Sequence, residues 1–442
     1  LSRRLRVSLS FLILVGVGLS IHVVANLAAD LDNDKQGEII DSVTSAFNRY
    51  YVFEDVANEM DEHLHQKFQS GEYENTRNRT EFLRTLVRDM RTVQNDQHIN
   101  IYYRSDEYFE RKQEEELTEE EIKRKIEEQR RYNYTFEKVE ILPGNVGYIK
   151  FDRFRDATFA GSTAAGALNF LGNTDAIIID LRDNGGGEPN MVQLIASYFF
   201  DERTHFNSLV TRGESTEEQL WTYAHVSGPR LTGKDVYILV SYDTFSAGEA
   251  LAYHLQKSGK ATVVGDSTGA GAHPCKFVDV PHLNTVIKVP YQRAVSPFTN
   301  SNWEGVGIQP DIEVPSYKAF DVAYLHAVKK LRENGSDDQF NDRLDWLIPA
   351  LESNVDPTVV DEAALKNYVG QYGPIKVFYD HGSLYFEYKN RRQMKMYPMS
   401  ETKFRCGVYD EYRIEFHLDN NGIAQSATIL FEDGTEFDES KS

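Results

Sequence analysis

Between about Asp34 and Arg91, apolar residues recur at spacings of three and four: Ile39, Ile40, Val43, Phe47 and Tyr51, then Phe82, Leu83, Leu86, Val87 and Met90. That period predicts two or three amphipathic helices packed as a small bundle, with Gly71 and residues 72–78 as a loop between them. The pattern then changes. Ile99-Asn100-Ile101-Tyr102-Tyr103 reads as a strand, and residues 107–131 are dense in Glu, Lys and Arg with few large apolar side chains. Thr118, with Glu121 three positions on, is placed to cap a mainly solvated helix that acts as a spacer, or functionally as a lid.

A third texture follows. Residues 146–151, 176–181 and 236–240 are short apolar runs suited to strands covered on both faces, and helical spacing separates them. Alternation of this kind predicts an α/β region with a largely parallel sheet. Residues 261–265, 286–289 and a helix over 322–331 are expected to complete it. From about Pro357 the chain turns to short strands, with hairpin signals at Asp380-His381-Gly382 and Asn420-Asn421-Gly422, predicting an antiparallel β module of six strands. The predicted organisation is a leader over 1–29, a helical domain over 30–104 carrying His98, a charged helical linker over 105–133, an α/β core over 134–350, and a β module over 355–442.

Composition narrows the function. The 442 residues carry a formal net charge of −21, which argues against a nucleic-acid partner. Arg3, Arg4 and Arg6 precede a stretch free of Asp, Glu, Lys and Arg from Val7 to Ala29, and Val23-Val24-Ala25 supplies small residues at cleavage-site spacing. A signal peptide or uncleaved anchor is predicted, placing the rest of the chain outside the cytoplasm, periplasmic or secreted, with membrane contact only through residues 7–29. The two cysteines, Cys275 and Cys406, do not make a disulfide framework. No zinc-finger spacing and no His-Glu-x-x-His occurs, so neither a metal site nor a cofactor is expected. No feature of the sequence sets an oligomeric state.

The chemistry centres on Thr244-Phe245-Ser246-Ala247-Gly248-Glu249, between an apolar strand and a helix. Several hydrolase folds present a nucleophile at such a junction, where helical N–H groups stabilise nearby negative charge. Ser246-x-x-Glu249 is equally a capping box that does no chemistry. Arg182-Asp183-Asn184-Gly185-Gly186-Gly187 follows another buried strand, and its glycines suit either a tight turn or close approach of backbone to a ligand. His98 ends the helical region. Glu304 lies in Asn302-Trp303-Glu304-Gly305-Val306-Gly307-Ile308-Gln309-Pro310-Asp311-Ile312, where an exposed loop carboxylate is the ordinary reading.

Taken together with Gly265-Asp266-Ser267-Thr268-Gly269, these ordered segments resemble the S41 peptidase family of C-terminal processing proteases, the tricorn core protease and the interphotoreceptor retinoid-binding protein repeats. The resemblance covers roughly His98 to Val314. It implies a ClpP/crotonase-like catalytic core with no cofactor and a peptide or protein substrate. Ser–Lys members carry a Lys after the Gly-Asp/Glu-x-Thr motif; here Gly269-Ala270-Gly271-Ala272-His273 holds none. The resemblance therefore implies the tricorn-like set, with Ser246 as nucleophile, His98 as general base and Glu304 supporting the imidazole. It further implies backbone N–H groups of Gly186 and Ala247 as oxyanion donors, each worth about 3 kcal/mol, and Gly185 and Gly187 against the substrate. Gln97 stands where tricorn-type sites have a Ser. No segment reads as a PDZ module. An exported serine peptidase is the reading, with a carrier of apolar ligands, or an esterase, as alternatives on the same fold.

Overall fold

The computed structural model describes residues 31–113, 118–335, 337–389, 393–407 and 412–442. The expected leader over 1–29 lies outside them. No helix among the described residues is long and apolar enough to cross a membrane. The chain forms two units. One runs to Val139 and continues through Ile149–Asn173 and Ile179–Glu313; the other comprises Glu140–Tyr148, Thr174–Ile178 and Val314–Ser442.

In the first unit the amphipathic stripes form three helices, Asn33–Tyr50, Glu54–Gln69 and Arg79–Val93. Asp32 caps the first by accepting from Lys35 N–H, and Asn78 caps the third by accepting from Glu81 N–H, each satisfying a donor the helix cannot. Their apolar faces bury Ile39, Phe47, Leu64, Phe82 and Leu86 in one core together with Ile99, Ile101, Ile287 and Val289. Ile101, Ile287 and Val289 come from a three-stranded antiparallel sheet of order Asn100–Tyr103, Thr285–Pro290, Cys275–Val280, and Ile99 immediately precedes its first strand.

Residues 286–289 thus belong here and not to the parallel sheet the sequence led us to expect. The turn at Pro281–Leu283, with Asn284 in the left-handed region at φ 51°, folds their strand back on Cys275–Val280 as a hairpin. This sheet has a functional consequence, because His98 sits two residues before its first strand. Thr118 and Glu121 form their capping box, and the helix it starts, Glu119–Arg131, buries no residue.

A six-stranded sheet has the order Ile312–Glu313, Thr262–Gly265, Asp235–Val240, Ala176–Asp180, Val146–Phe151, Phe136–Leu142. Thr262–Gly265 runs parallel to both Asp235–Val240 and Ile312–Glu313. Ile238, Leu239, Val240, Val263 and Val264 are fully buried, as runs of aliphatic residues without alternation require.

The second unit contains three helices, Ser316–Asn334, Asp338–Val355 and the short Glu362–Asn367, and an antiparallel sheet of eight strands from Gly370–Tyr372 to Glu436–Ser440, joined in sequence order. Six were expected; Gly370–Tyr372 and Lys403–Cys406, three and four residues long, are too short to show an alternating pattern. Phe386, Phe404, Phe416 and Ile414 pack on its inner face. Tyr372 bridges Lys441, and Ser442 N–H donates to Gln371 O at 2.9 Å, so the two ends of the sheet meet. Cys275 and Cys406 are both buried, and no disulfide joins them.

Candidate active site

Ser246 stands at φ 55°, ψ −113°, between the Asp235–Val240 strand and the Ala247–Lys257 helix. For a residue with a β-carbon this conformation costs on the order of 1–3 kcal/mol, so the surroundings must impose it. They do. Thr244 Oγ1 donates to Leu181 O at 2.7 Å, Ser241 Oγ donates to Arg182 O, and Phe245 N–H donates to Asn184 O at 2.9 Å. The turn is thereby fastened to the glycine-rich segment beside it. Ser246 is half-buried.

Glu249 does more than the capping reading assigned to it. Its fully buried carboxylate accepts from Ser246 N–H at 2.8 Å, Thr268 Oγ1 at 2.5 Å, Ala270 N–H at 2.8 Å and Gly271 N–H at 2.9 Å. Burial pushes its carboxyl up to about 7, against the hydrogen bonds, which favour the charged form. One side chain therefore ties the Ser246 turn to the loop over 268–271.

Gly186, at φ +94°, lies so close to this turn that a β-carbon on it would sit 2.8 Å from Ser246 Cβ and 3.1 Å from Ala247 N. No other residue fits there. The backbone of the predicted oxyanion donor is thus beside Ser246, but its N–H donates to Asn184 Oδ1 at 2.9 Å. The Ala247 and Gly187 N–H groups have no acceptor among the described residues. Gly185 N–H donates to Asp152 O at 3.2 Å, and Gly185 O accepts from Arg153. Buried Asn184, which also donates to Phe151 O at 2.9 Å, holds the segment in place.

Glu188, at the end of this segment, carries a carboxyl pushed up to about 7 by burial and by Asp156. The stability linked to it is complete below about 4.5 and is lost as pH rises through about 7. Glu188→Gln should therefore narrow the difference in unfolding free energy, read by urea denaturation, between pH 5 and pH 8 by about 1 kcal/mol given its partial exposure. An unchanged difference would refute the assignment.

His98 is buried, and its ring packs on that of Phe245, the residue before Ser246, with centroids 4.5 Å apart. Gly271 makes room for the pair: a β-carbon there would approach Phe245 Cζ to 2.3 Å and His98 Cε1 to 2.7 Å. The loop that lacks a Lys thus packs against the imidazole at a position with no space for any side chain. Lys257 lies over the Tyr253 ring and Lys260 pairs with Asp201. Burial, with Lys288 nearby, drives the imidazole down to about 3, so it is neutral. No hydrogen bond joins His98 and Ser246 among the described residues.

Glu304 is brought to His98, but its hydrogen bonds go elsewhere. Its Oε2 accepts from Ala272 N–H at 2.6 Å and His273 N–H at 3.2 Å. The carboxylate with a bond to His98 is Asp96, whose Oδ1 accepts the His98 backbone N–H at 2.9 Å. Asp96 Oδ2 also faces His273 Nδ1 at 2.8 Å and accepts from Tyr51 Oη at 3.3 Å. Burial works to raise the Asp96 carboxyl, but the His273 hydrogen bond and neighbouring histidines hold it low. Burial and the Asp96 charge push Glu304 up to about 9. A polar cavity of about 260 Å³ opens onto His273 and Glu304, lined also by Gln94, Arg293 and Asn302. Asp96, His273 and Tyr51 were not read as site residues from the sequence; the local signal for them was the Asp-x-His pair at 96–98.

Residues 145–314 match the model of peptidase family S41, and residues 32–143 match that of the N-terminal domain of Peptidase_S41 in eukaryotic IRBP. Together the two span more than half of the sequence. The chain belongs to peptidase family S41. A carboxyl-terminal-processing protease of Picosynechococcus sp. is 32% identical over 139 residues, 31% of this chain and 32% of the relative. A carboxy-terminal-processing protease of Bartonella bacilliformis is 26% identical over 191 residues, 41% of this chain and 42% of the relative. The matched stretches thus span well under half the length of these curated relatives. Among solved structures, a photosystem II D1 C-terminal processing protease is 13% identical with a TM-score of 0.43, covering 64% of this chain and 93% of that one. The tricorn protease is 15% identical with a TM-score of 0.39, covering 72% and 37%.

Proposed function

We propose that this chain is a serine peptidase in which Ser246 is the nucleophile and His98 the general base. The observation that carries the reading is the backbone of Ser246. A strained strand-to-helix turn, held by bonds from Thr244, Phe245 and Glu249, is how a hydroxyl is thrust clear of a sheet for attack. Neutral His98, packed against Phe245, can take the Ser246 proton as the hydroxyl adds to a peptide carbonyl, and return it to the leaving amine. The Ser–His contact closes when substrate binds, as catalytic hydrogen bonds commonly do.

The oxyanion would receive the free Ala247 N–H, with Gly187 N–H available beside it and Gly186 N–H contributing if Asn184 releases it. The positive charge that forms on the imidazole during proton transfer would draw Glu304 into its ionised form and be supported by it, and Asp96 fixes the backbone of His98. The carrier reading gains nothing from the polar cavity beside Glu304.

A fluorophosphonate probe tests the assignment. Labelling at Ser246 should be stoichiometric, absent in Ser246→Ala, and slowed roughly 10²–10⁴-fold in His98→Ala. Labelling that survives His98→Ala at full rate but is lost in Lys257→Ala would sink the Ser–His pair.

A further inference from the structure

Asp96, His98 and Glu304 each present one ligand atom, and the three atoms lie within 4.8 Å of one another. Two polar atoms of this cluster are buried and unpaired among the described residues: His98 Nδ1 and Glu304 Oε1. His98 is 4% exposed and the Glu304 side chain 7%, so water does not serve them as it would on a surface. The donors come from two distant segments, each fixed by its own bonds. Asp96 is held by His98 N–H, His273 and Tyr51, and Glu304 by Ala272 and His273 N–H.

We propose that these three side chains bind a single divalent transition-metal ion of the Zn²⁺ type, and that the bound ion turns the peptidase off. The donor chemistry fits: one neutral imidazole and two carboxylates suit zinc, whereas magnesium and calcium take oxygen alone. Inhibition follows from the imidazole itself. A neutral ring has one lone pair, and once a metal holds it the other nitrogen carries the hydrogen. Neither nitrogen can then accept the Ser246 proton. Metal occupancy and general-base catalysis are mutually exclusive whichever nitrogen faces the ion. The inhibitory half rests on the proposed roles of Ser246 and His98; the binding half does not.

The full chain carrying Ser246→Ala, which cannot turn over substrate, separates the two halves. Calorimetric titration with Zn²⁺ should give one site. His98→Ala and the isosteric Glu304→Gln, each added to Ser246→Ala, should weaken it at least tenfold, since loss of even an outer-shell partner costs 10–100-fold. Co²⁺ should give a visible d–d band that disappears with His98→Ala. In the unaltered protein, Zn²⁺ but not Mg²⁺ should block fluorophosphonate labelling, and a chelator should restore it. Absence of Zn²⁺ binding, or binding undiminished in both double variants, overturns the site. Binding without any effect on labelling overturns the switch. If the unaltered protein fails to label even with chelator, the peptidase reading falls, while intact Zn²⁺ binding still upholds the site.

Discussion

Ser246→Gly should abolish hydrolysis and at the same time make the protein harder to unfold. The first effect removes the nucleophile; in other Ser–His sites that loss costs about 10⁶ in kcat. The second comes from the backbone. At φ 55°, ψ −113°, Ser246 occupies a conformation that glycine adopts freely and residues with a β-carbon resist. Relieving it should add about 1 kcal/mol, visible as a rise of roughly 2 °C in the unfolding midpoint. Ser246→Ala keeps the β-carbon and should lose activity without that gain. Equal midpoints for the glycine and alanine variants would show that the turn is not strained, and would remove the observation on which the nucleophile assignment leans.

The largest loss of stability from a single substitution at the site should come from Glu249→Ala. Four donors, from Ser246, Thr268, Ala270 and Gly271, would lose their acceptor, and those of Thr268 and Gly271 lie in buried surroundings. Each unsatisfied buried group costs about 1–3 kcal/mol, so the sum is on the order of 4 kcal/mol or more. Glu249→Gln should not rescue it. The amide replaces one acceptor oxygen with two N–H groups that would face donors already there. Urea denaturation checks both variants, and a glutamine variant within about 0.5 kcal/mol of the parent would mean that the carboxylate is not the tie described. Fluorophosphonate labelling should fall in both, because the loop carrying Gly271 also packs against His98.

Much of this was legible in the sequence, for identifiable reasons. Helical periodicity disclosed the bundle because its stripes are long and regular. Ser246, His98, Glu304 and Gly186 could be named because ordered motifs surround them. What escaped was non-local. Residues 286–289 have the apolar character of a parallel strand, and only their pairing with Asn100–Tyr103 and Cys275–Val280 assigns them to the antiparallel sheet. Glu249 fits a cap locally; its bonds to Thr268, Ala270 and Gly271 bridge some twenty positions. The Asp96–His273 contact crosses 177 positions. The sequence expectation of no metal site rested on local ligand spacing, a test that a cluster assembled from residues 96–98 and 304 evades.

The C-terminal strands have one last implication. Because Tyr372 reaches Lys441 and Ser442 binds Gln371, little open ladder is left for a foreign chain to extend. What remains along the final strand carries Glu436, Asp438 and Glu439, whose like charges repel an identical neighbour. Polymerisation by strand addition is thereby discouraged at the module where eight strands lie side by side, and any companion molecule must grip its loops or outer side chains instead.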